Sequence, residues 1–215
     1  MFVFNCTQNF REQICSTVND ITEDSGVSNN LNQWVVHSFQ VKRKNCVVAM
    51  HVMSRYSILF ANIKKIDPDS FFRLFMFRLY NEMNFLCELN GDTSQRVLKK
   101  ISACASFSYC KSYNRSVQAH INDVIFHFKD QIELAGRLPK NDDELFSSGY
   151  YVNRLLRSTL EDQDYFYPEE RMVDFWKLSF VEQPDVPKES TRCSNSNLHS
   201  KVVSFADYKK NKDLM

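Results

Sequence analysis

The stretch that decides the fold is residues 114–128, which read Asn114-Arg115-Ser116-Val117-Gln118-Ala119-His120-Ile121-Asn122-Asp123-Val124-Ile125-Phe126-His127-Phe128. Its apolar residues recur at i, i+4, i+7, i+8, i+11 and i+15, the spacing of one face of an α-helix: Val117, Ile121, Val124, Ile125, Phe128 and Ile132. Asn114 or Ser116 can offer a side-chain oxygen to the free amides of the first turn. The spacing therefore predicts a capped amphipathic helix that ends near Gly136.

The residues before this helix predict a group of strands followed by helices. Apolar or alternating runs predict strands at residues 1–7, 34–42, 46–50, 56–63 and 107–113. Helical spacing predicts helices at residues 8–21, after Asp67-Pro68, and around Val97, Leu98 and Ile101. Together these runs indicate a β-meander near the N-terminus, with most helices following it.

The residues after Gly136 predict one more helix and then a tail. A cap at Asn141 begins the predicted helix, which continues to Leu160, and residues 175–180 are predicted to be an edge strand. From residue 182 the chain carries prolines and a Ser/Asn-rich run. We therefore predict an α+β fold: a single domain over residues 1–181, with an N-terminal antiparallel β-meander packed against several α-helices, and an extended or mobile tail over residues 182–215.

Composition limits the function classes. The chain has 215 residues, of which 43% are hydrophobic, so it has the material for a large core. Its formal charge of +1 gives no overall attraction to nucleic acid or to an anionic membrane. Seven cysteines without a C-x-x-C pair are typical of reduced thiols, and no apolar run has the roughly 18 residues that span a bilayer. These features predict a cytoplasmic protein that does not bind membranes.

Several short motifs resemble those of one known family. A first strand ends in Cys6-Thr7, a strand led by Trp34 is followed by a basic turn and a Cys-Val strand, and Asn114-Arg115-Ser116-Val117 precedes Ile121-Asn122-Asp123. Over residues 1–138 this arrangement resembles an uncharacterised bacterial family that is catalogued only as a domain of unknown function. The resemblance implies no activity.

The predicted helix start is the main candidate for a ligand site. A helix N-terminus offers free N–H groups, and an adjacent arginine can bind a phosphate or carboxylate with two hydrogen bonds. The candidate ligand-binding residues are Asn114, Arg115, Ser116, Asn122 and Asp123. The structural alternative is that Asn114 and Ser116 cap the helix, Arg115 pairs with an acid, and Asn122 and Asp123 hold a neighbouring loop.

A second candidate surface is basic. Lys42, Arg43 and Lys44 lie in one predicted turn, and could join other lysines with Tyr109 and Tyr113 as stacking surface for nucleic acid. Scattered lysines that keep the protein in solution are the simpler explanation.

Two further patterns favour structural roles. His120, Asp123 and His127 share one flank of the predicted helix, but a fourth metal ligand is not evident, so no metal site is assigned. Cys6 or Cys46 would need a histidine such as His37 or His51 as its base, and buried strand cysteines are usually inert. With only four glycines, the chain has no glycine-rich phosphate loop.

We expect a non-catalytic cytoplasmic binding or regulatory module that engages another macromolecule, most simply a protein. No catalytic residue is assigned and no cofactor is expected. One alternative is an enzyme that binds a small ligand or phosphate in a pocket at the start of the Asn114 helix. Another is a nucleic-acid-binding protein that uses the Lys42, Arg43 and Lys44 turn. The sequence does not set the oligomeric state.

Overall fold

Five strands form one mixed sheet in the computed structural model, which describes residues 1–14, 32–103, 106–111, 114–159 and 164–182. The strands are β1 (Phe2–Cys6), β2 (Gln33–Val41), β3 (Lys44–His51), β4 (Ser57–Phe60) and β5 (Phe107–Lys111). The helices are α1 (Gln8–Ile14), α2 (Pro68–Leu86), α3 (Gly91–Ala103), α4 (Arg115–Ala135), α5 (Asp142–Asn153) and α6 (Pro168–Trp176), which continues as a π-helix (Lys177–Val181). The predicted α+β class is confirmed.

The sheet order is β4-β3-β2-β1-β5. The predicted antiparallel meander is present in β2, β3 and β4, which pair antiparallel in sequence order. However, β1 is not part of that meander, because it pairs parallel with both β2 and β5. Parallel pairing requires a crossover connection of about a dozen residues or more, which residues 7–32 supply.

The two faces of the sheet carry separate apolar clusters because strand side chains alternate. On one face, Phe4, Trp34 and Ile58 pack with α2, α3 and α6. On the other face, Val48 and Leu59 pack under α4 and α5. The domain therefore has three layers, with the sheet in the middle.

Helix α4 has the caps and the buried stripe that its sequence predicts. Asn114 Oδ1 accepts a hydrogen bond from the Val117 amide at 3.1 Å. Gly136 ends the helix in the left-handed region at φ 73°, where glycine carries no steric penalty. The buried residues are the six predicted ones: Val117, Ile121, Val124, Ile125, Phe128 and Ile132.

Two predictions about the second half of the chain are wrong. The predicted edge strand at residues 175–180 is helical, because Pro168 begins α6 and its i+4 and i+8 neighbours Met172 and Trp176 bury one face. The helix predicted to reach Leu160 ends at Asn153. The Asn153 Oδ1 atom accepts from the Ser57 amide at 2.7 Å, and Asn153 Nδ2 donates to the Ser57 carbonyl at 2.8 Å. The predicted helix beyond residue 14 and the predicted tail beyond residue 182 lie outside the described residues.

Replacing Ile121 by alanine tests the packing of α4. Ile121 is fully buried, so Ile121→Ala should leave a cavity and lower the free energy of unfolding by about 2–5 kcal/mol. Phe126→Ala on the same helix is the matched control. Phe126 is 66% exposed, and its loss should change that free energy by no more than about 0.5 kcal/mol. Equal effects of the two substitutions in urea unfolding would contradict this packing.

Candidate functional site

A cleft of about 440 Å³ lies at the N-terminal end of α4. It is lined by Arg115, Ser116, Ala119, His120, Ser158 and Thr159. The first four residues belong to the first turns of α4, and the last two follow α5 in the chain. The cleft therefore lies where the segment between α5 and α6 passes the start of α4.

The start of α4 gives the cleft a positive end. The first turn of the helix contains Arg115 and no acidic residue, so no carboxylate of that turn neutralises the helix dipole there. Asn114 caps one amide group of that turn through its side chain. The remaining amide groups of the first turn make this a favourable place for an anion.

Arg55 approaches the start of α4 from the turn between β3 and β4. Its backbone has φ 60°, in the left-handed region, and its amide donates to the His51 carbonyl at 2.9 Å. The guanidinium group donates to the Val52 carbonyl and, at 3.3 Å, to Ser116 Oγ. Arg55 is only 8% exposed, so a buried positive charge lies directly against a residue of the cleft.

Arg157 brings a second buried guanidinium group to the same region. Its backbone forms an isolated bridge with Phe166, with two hydrogen bonds of 2.9 Å. Its side chain is 4% exposed and forms an ion pair with Asp123. Its Nε and Nη2 atoms are also buried, and neither has a hydrogen-bond partner among the described residues. Unsatisfied buried donors are costly, so the pair with Asp123 accounts for only part of the hydrogen bonding of this side chain.

His120 reports the positive field in the cleft. Burial lowers the pKa of its imidazole, and the charges of Arg157 and Arg55 lower that pKa further. The charge of Asp123 and the backbone of Ser158 act in the opposite direction and raise that pKa, but the lowering effects are larger.

The structure brings together only part of the predicted ligand site. Arg115 and Ser116 line the cleft, and Asn114 caps the helix beside it. Asn122 is exposed farther along α4 and accepts a hydrogen bond from Gln118 at 3.1 Å. Asp123 pairs with Arg157 and lies 3.5 Å from His127. Asp123 thus holds an arginine in place, in agreement with the structural alternative for this residue.

Sequence reasoning missed the residues that come from other elements: Arg55, Arg157, Ser158 and Thr159. No local spacing connects them to α4. Arg55 follows a predicted strand, and Arg157 lies inside what the apolar spacing predicted as helix. Their positions depend on the turn after β3 and on the end of α5 at Asn153.

The histidine and cysteine patterns have structural roles where the structure describes them. Asp123 is held by Arg157, and no group of three or more His, Cys, Asp or Glu side chains within the described residues is placed to hold a metal ion. Cys46 is buried, and burial raises the pKa of its thiol, which makes it a poor nucleophile. His37 hydrogen-bonds Thr7 Oγ1 at 3.1 Å, and His51 hydrogen-bonds Ser54 Oγ at 2.9 Å.

The predicted basic turn is present, but it is remote in sequence from the cleft residues. Lys42 and Arg43 have φ of 47° and 62°, as in a tight two-residue hairpin turn. Lys42 Nζ donates to the carbonyl of Gly136, so it caps the C-terminus of α4. Lys44 is exposed at the start of β3.

Tyr109 is 6% exposed and stacks on Phe4, so its predicted role as stacking surface is wrong. Tyr113 lies outside the described residues.

Three buried ionisable side chains, in the β3–β4 turn and on α2, form a separate structural network. Tyr56 donates to Glu82 at 2.8 Å, and Arg78 donates to the same carboxyl at 2.7 Å. Burial raises the pKa of Glu82, and burial together with the charge of Glu82 raises the pKa of Tyr56. Arg78 also donates to the Asp142 carbonyl at 3.0 Å, which ties α2 to the start of α5. The carboxyl and the phenol have partners within the fold, and neither residue lines a described cleft.

A second cleft, of about 480 Å³, lies between α1 and the β2–β3 hairpin. Amide side chains such as Gln13 and Asn45 line it, together with Glu12 and Lys65. Gln13 hydrogen-bonds Ser38 and the Ile63 carbonyl, so its amide supports the packing of α1. Its charged lining residues among the described part of the chain, Glu12 and Lys65, are both exposed, unlike the buried Arg55 beside the first cleft.

Comparison with known proteins gives a family without an activity. The family model described as a domain of unknown function, DUF6933, matches residues 3–171. No curated protein matches the chain. Among the described residues, no helix is both long and apolar enough to cross a membrane.

Titration of His120 by NMR tests the field in the cleft. In the free protein, its pKa should lie below the ordinary value of 6.5. Inorganic phosphate in the cleft should raise that pKa, because a nearby negative charge stabilises the imidazolium ion. His37 is the internal control, since it lies on the sheet and hydrogen-bonds Thr7. An unchanged His120 pKa at high phosphate and constant ionic strength would contradict an anion at this position.

Proposed function

Because the chain belongs to the DUF6933 family, whose description names no activity, we propose from the cleft alone that this protein is a non-catalytic binding module. The cleft would hold a phosphate or carboxylate group of another molecule at the N-terminus of α4. The observation that carries this proposal is the arrangement at the start of α4, where Arg115 and the first turn of the helix line the cleft and the buried Arg55 donates to Ser116 Oγ beside them. An anion in the cleft would supply acceptors for such donors.

The balance of charge supports an anionic ligand. Arg115 lines the cleft, Arg55 donates to Ser116 of the cleft, and Arg157 precedes the cleft residue Ser158 in the chain, where Asp123 offsets its charge. The α4 dipole adds partial positive charge at the same place. Guanidinium groups form paired hydrogen bonds with carboxylates and phosphates, so three of them beside a helix N-terminus suit these ligands better than a neutral one.

The surroundings of the cleft hydroxyls support binding without catalysis. A serine nucleophile needs an adjacent base that takes its proton. Ser116 Oγ accepts a hydrogen bond from Arg55, and a guanidinium group stays protonated at any physiological pH. The enzymatic alternative would use the same cleft, but this contact does not favour it.

The cysteines support a cytoplasmic location. Cys6 and Cys46 are buried, Cys87 and Cys110 are partly buried, and all four are reduced thiols in the structure. Reduced thiols in this number are typical of a reducing compartment.

Arg115→Ala tests the proposed site. Loss of a charge-assisted pair should weaken binding of phosphoserine or inorganic phosphate by about 1.5–3 kcal/mol, with little change in melting temperature. Lys129→Ala is the control, since it removes one positive charge from an exposed position on the same helix. Isothermal titration calorimetry and thermal melts of both variants separate the outcomes. No phosphate binding to the parent, together with a destabilised Arg115→Ala variant, would contradict the proposal.

A further inference from the structure

The outward side of α4 carries a line of exposed residues that begins at the cleft. These residues recur at i, i+4, i+7 and i+11: Arg115, Ala119, Asn122 and Phe126. This spacing follows one side of a helix, as the buried stripe does on the opposite side. We name these four residues the α4 line. It connects a cationic cleft at one end with an aromatic side chain at the other.

The far end of the α4 line is an exposed aromatic group. Phe126 is 66% exposed, and Tyr151 of α5 is 51% exposed. The ring of His127 lies between them, 5.4 Å from Phe126 and 6.4 Å from Tyr151. Exposed aromatic side chains that lie close together are enriched in protein interfaces, where they supply much of the binding energy.

The distance between the two ends is set by the helix. Phe126 lies seven residues after Ala119, which lines the cleft. At a rise of about 1.5 Å per residue, the two positions are roughly 10 Å apart along the axis and almost in line. An extended peptide advances about 3.3 Å per residue, so about three residues cover this distance.

The middle of the α4 line suits a peptide backbone. Asn122 is exposed there, and its side-chain amide has both donor and acceptor atoms. The carboxylate of Asp123 is neutralised by Arg157, so it does not repel an acidic segment. Among the described residues that line the cleft, Ala119 is the apolar one and the half-buried imidazole of His120 is the one ring, so the wall lacks the Phe, Tyr or Trp surface on which a nucleobase usually stacks.

We infer that the α4 line binds an extended peptide segment of another protein. A phosphorylated serine or threonine of this peptide would lie in the cleft, and a large apolar side chain about three residues away would contact Phe126. This inference rests on the proposed function of the cleft. It adds the class of partner and the second point of contact, which the cleft alone does not give.

The test uses the full chain and synthetic peptides in fluorescence anisotropy. Each labelled peptide carries one phosphoserine in an alanine-serine background, with a single phenylalanine placed one to six residues to either side. For phenylalanine on one side of the phosphoserine, the affinity should peak when the two residues are about three positions apart. At that peak, the peptide should bind about tenfold more tightly than the peptide without phenylalanine. Phe126→Ala should abolish this peak while leaving the affinity of the peptide without phenylalanine unchanged.

Leu134→Ala is the matched control, because Leu134 is an 82% exposed apolar residue of α4 away from the α4 line. It should retain the peak. Phosphoserine binding without any dependence on the phenylalanine would overturn this inference and leave the proposed function intact. Absence of binding for phosphoserine and inorganic phosphate alike would overturn both. Tighter binding of a mononucleotide than of any peptide would also overturn the inference.

Discussion

Burial of the apolar stripe of α4 against β2 and β3 is the constraint that sets the rotation of the helix and the position of the cleft. Phe128 is fully buried and its ring meets Phe39 of β2 edge to face at 6.1 Å. Six large side chains on one side of the helix fix its rotation. Once that rotation is fixed, the opposite side must face outward, and Arg115 and Phe126 lie on it. The position of the cleft is thus a consequence of core packing.

The two buried arginines near the start of α4 combine stabilising contacts with unfavourable features. Arg157 joins the segment after α5 to α4 through Asp123, and this pair contributes to the fold. Its other donors lack partners among the described residues, which costs free energy in the unbound protein. Arg55 has a left-handed backbone at φ 60°, which is also unfavourable for a residue with a side chain. Unpaired buried donors also occur on Arg11 and Arg78, and positive φ also occurs at Asn62 and Glu88, so these features alone do not distinguish the cleft from the rest of the fold.

Local patterns predicted much of the fold because their causes are local. The α4 stripe, the Asn114 and Gly136 caps and the hairpin at Lys42-Arg43 each depend on residues within a few positions of one another. The parallel pairing of β1 was missed because strand direction depends on the path of the intervening chain. The sequence 175–180 was assigned to a strand because aromatic residues favour strands, whereas Pro168 and the buried Trp176 make it helical.

The candidate site was only partly predictable for the same reason. The positions of Arg115 and Ser116 were predictable because the sequence shows where α4 begins. The position of Arg157 was not predictable, because it depends on the end of α5 at Asn153 and on the bridge to Phe166. A lone arginine in a run of apolar spacing carries no signal of its burial. Contacts between residues far apart in the chain require the tertiary structure.

The most direct test of the central claim is a crystal structure of the protein soaked with tungstate, a phosphate analogue with a strong anomalous signal. An anomalous peak is expected in the cleft, within hydrogen-bond distance of the Arg115 guanidinium group and of the first amide groups of α4. A cleft that stays free of tungstate at a saturating concentration would contradict this account.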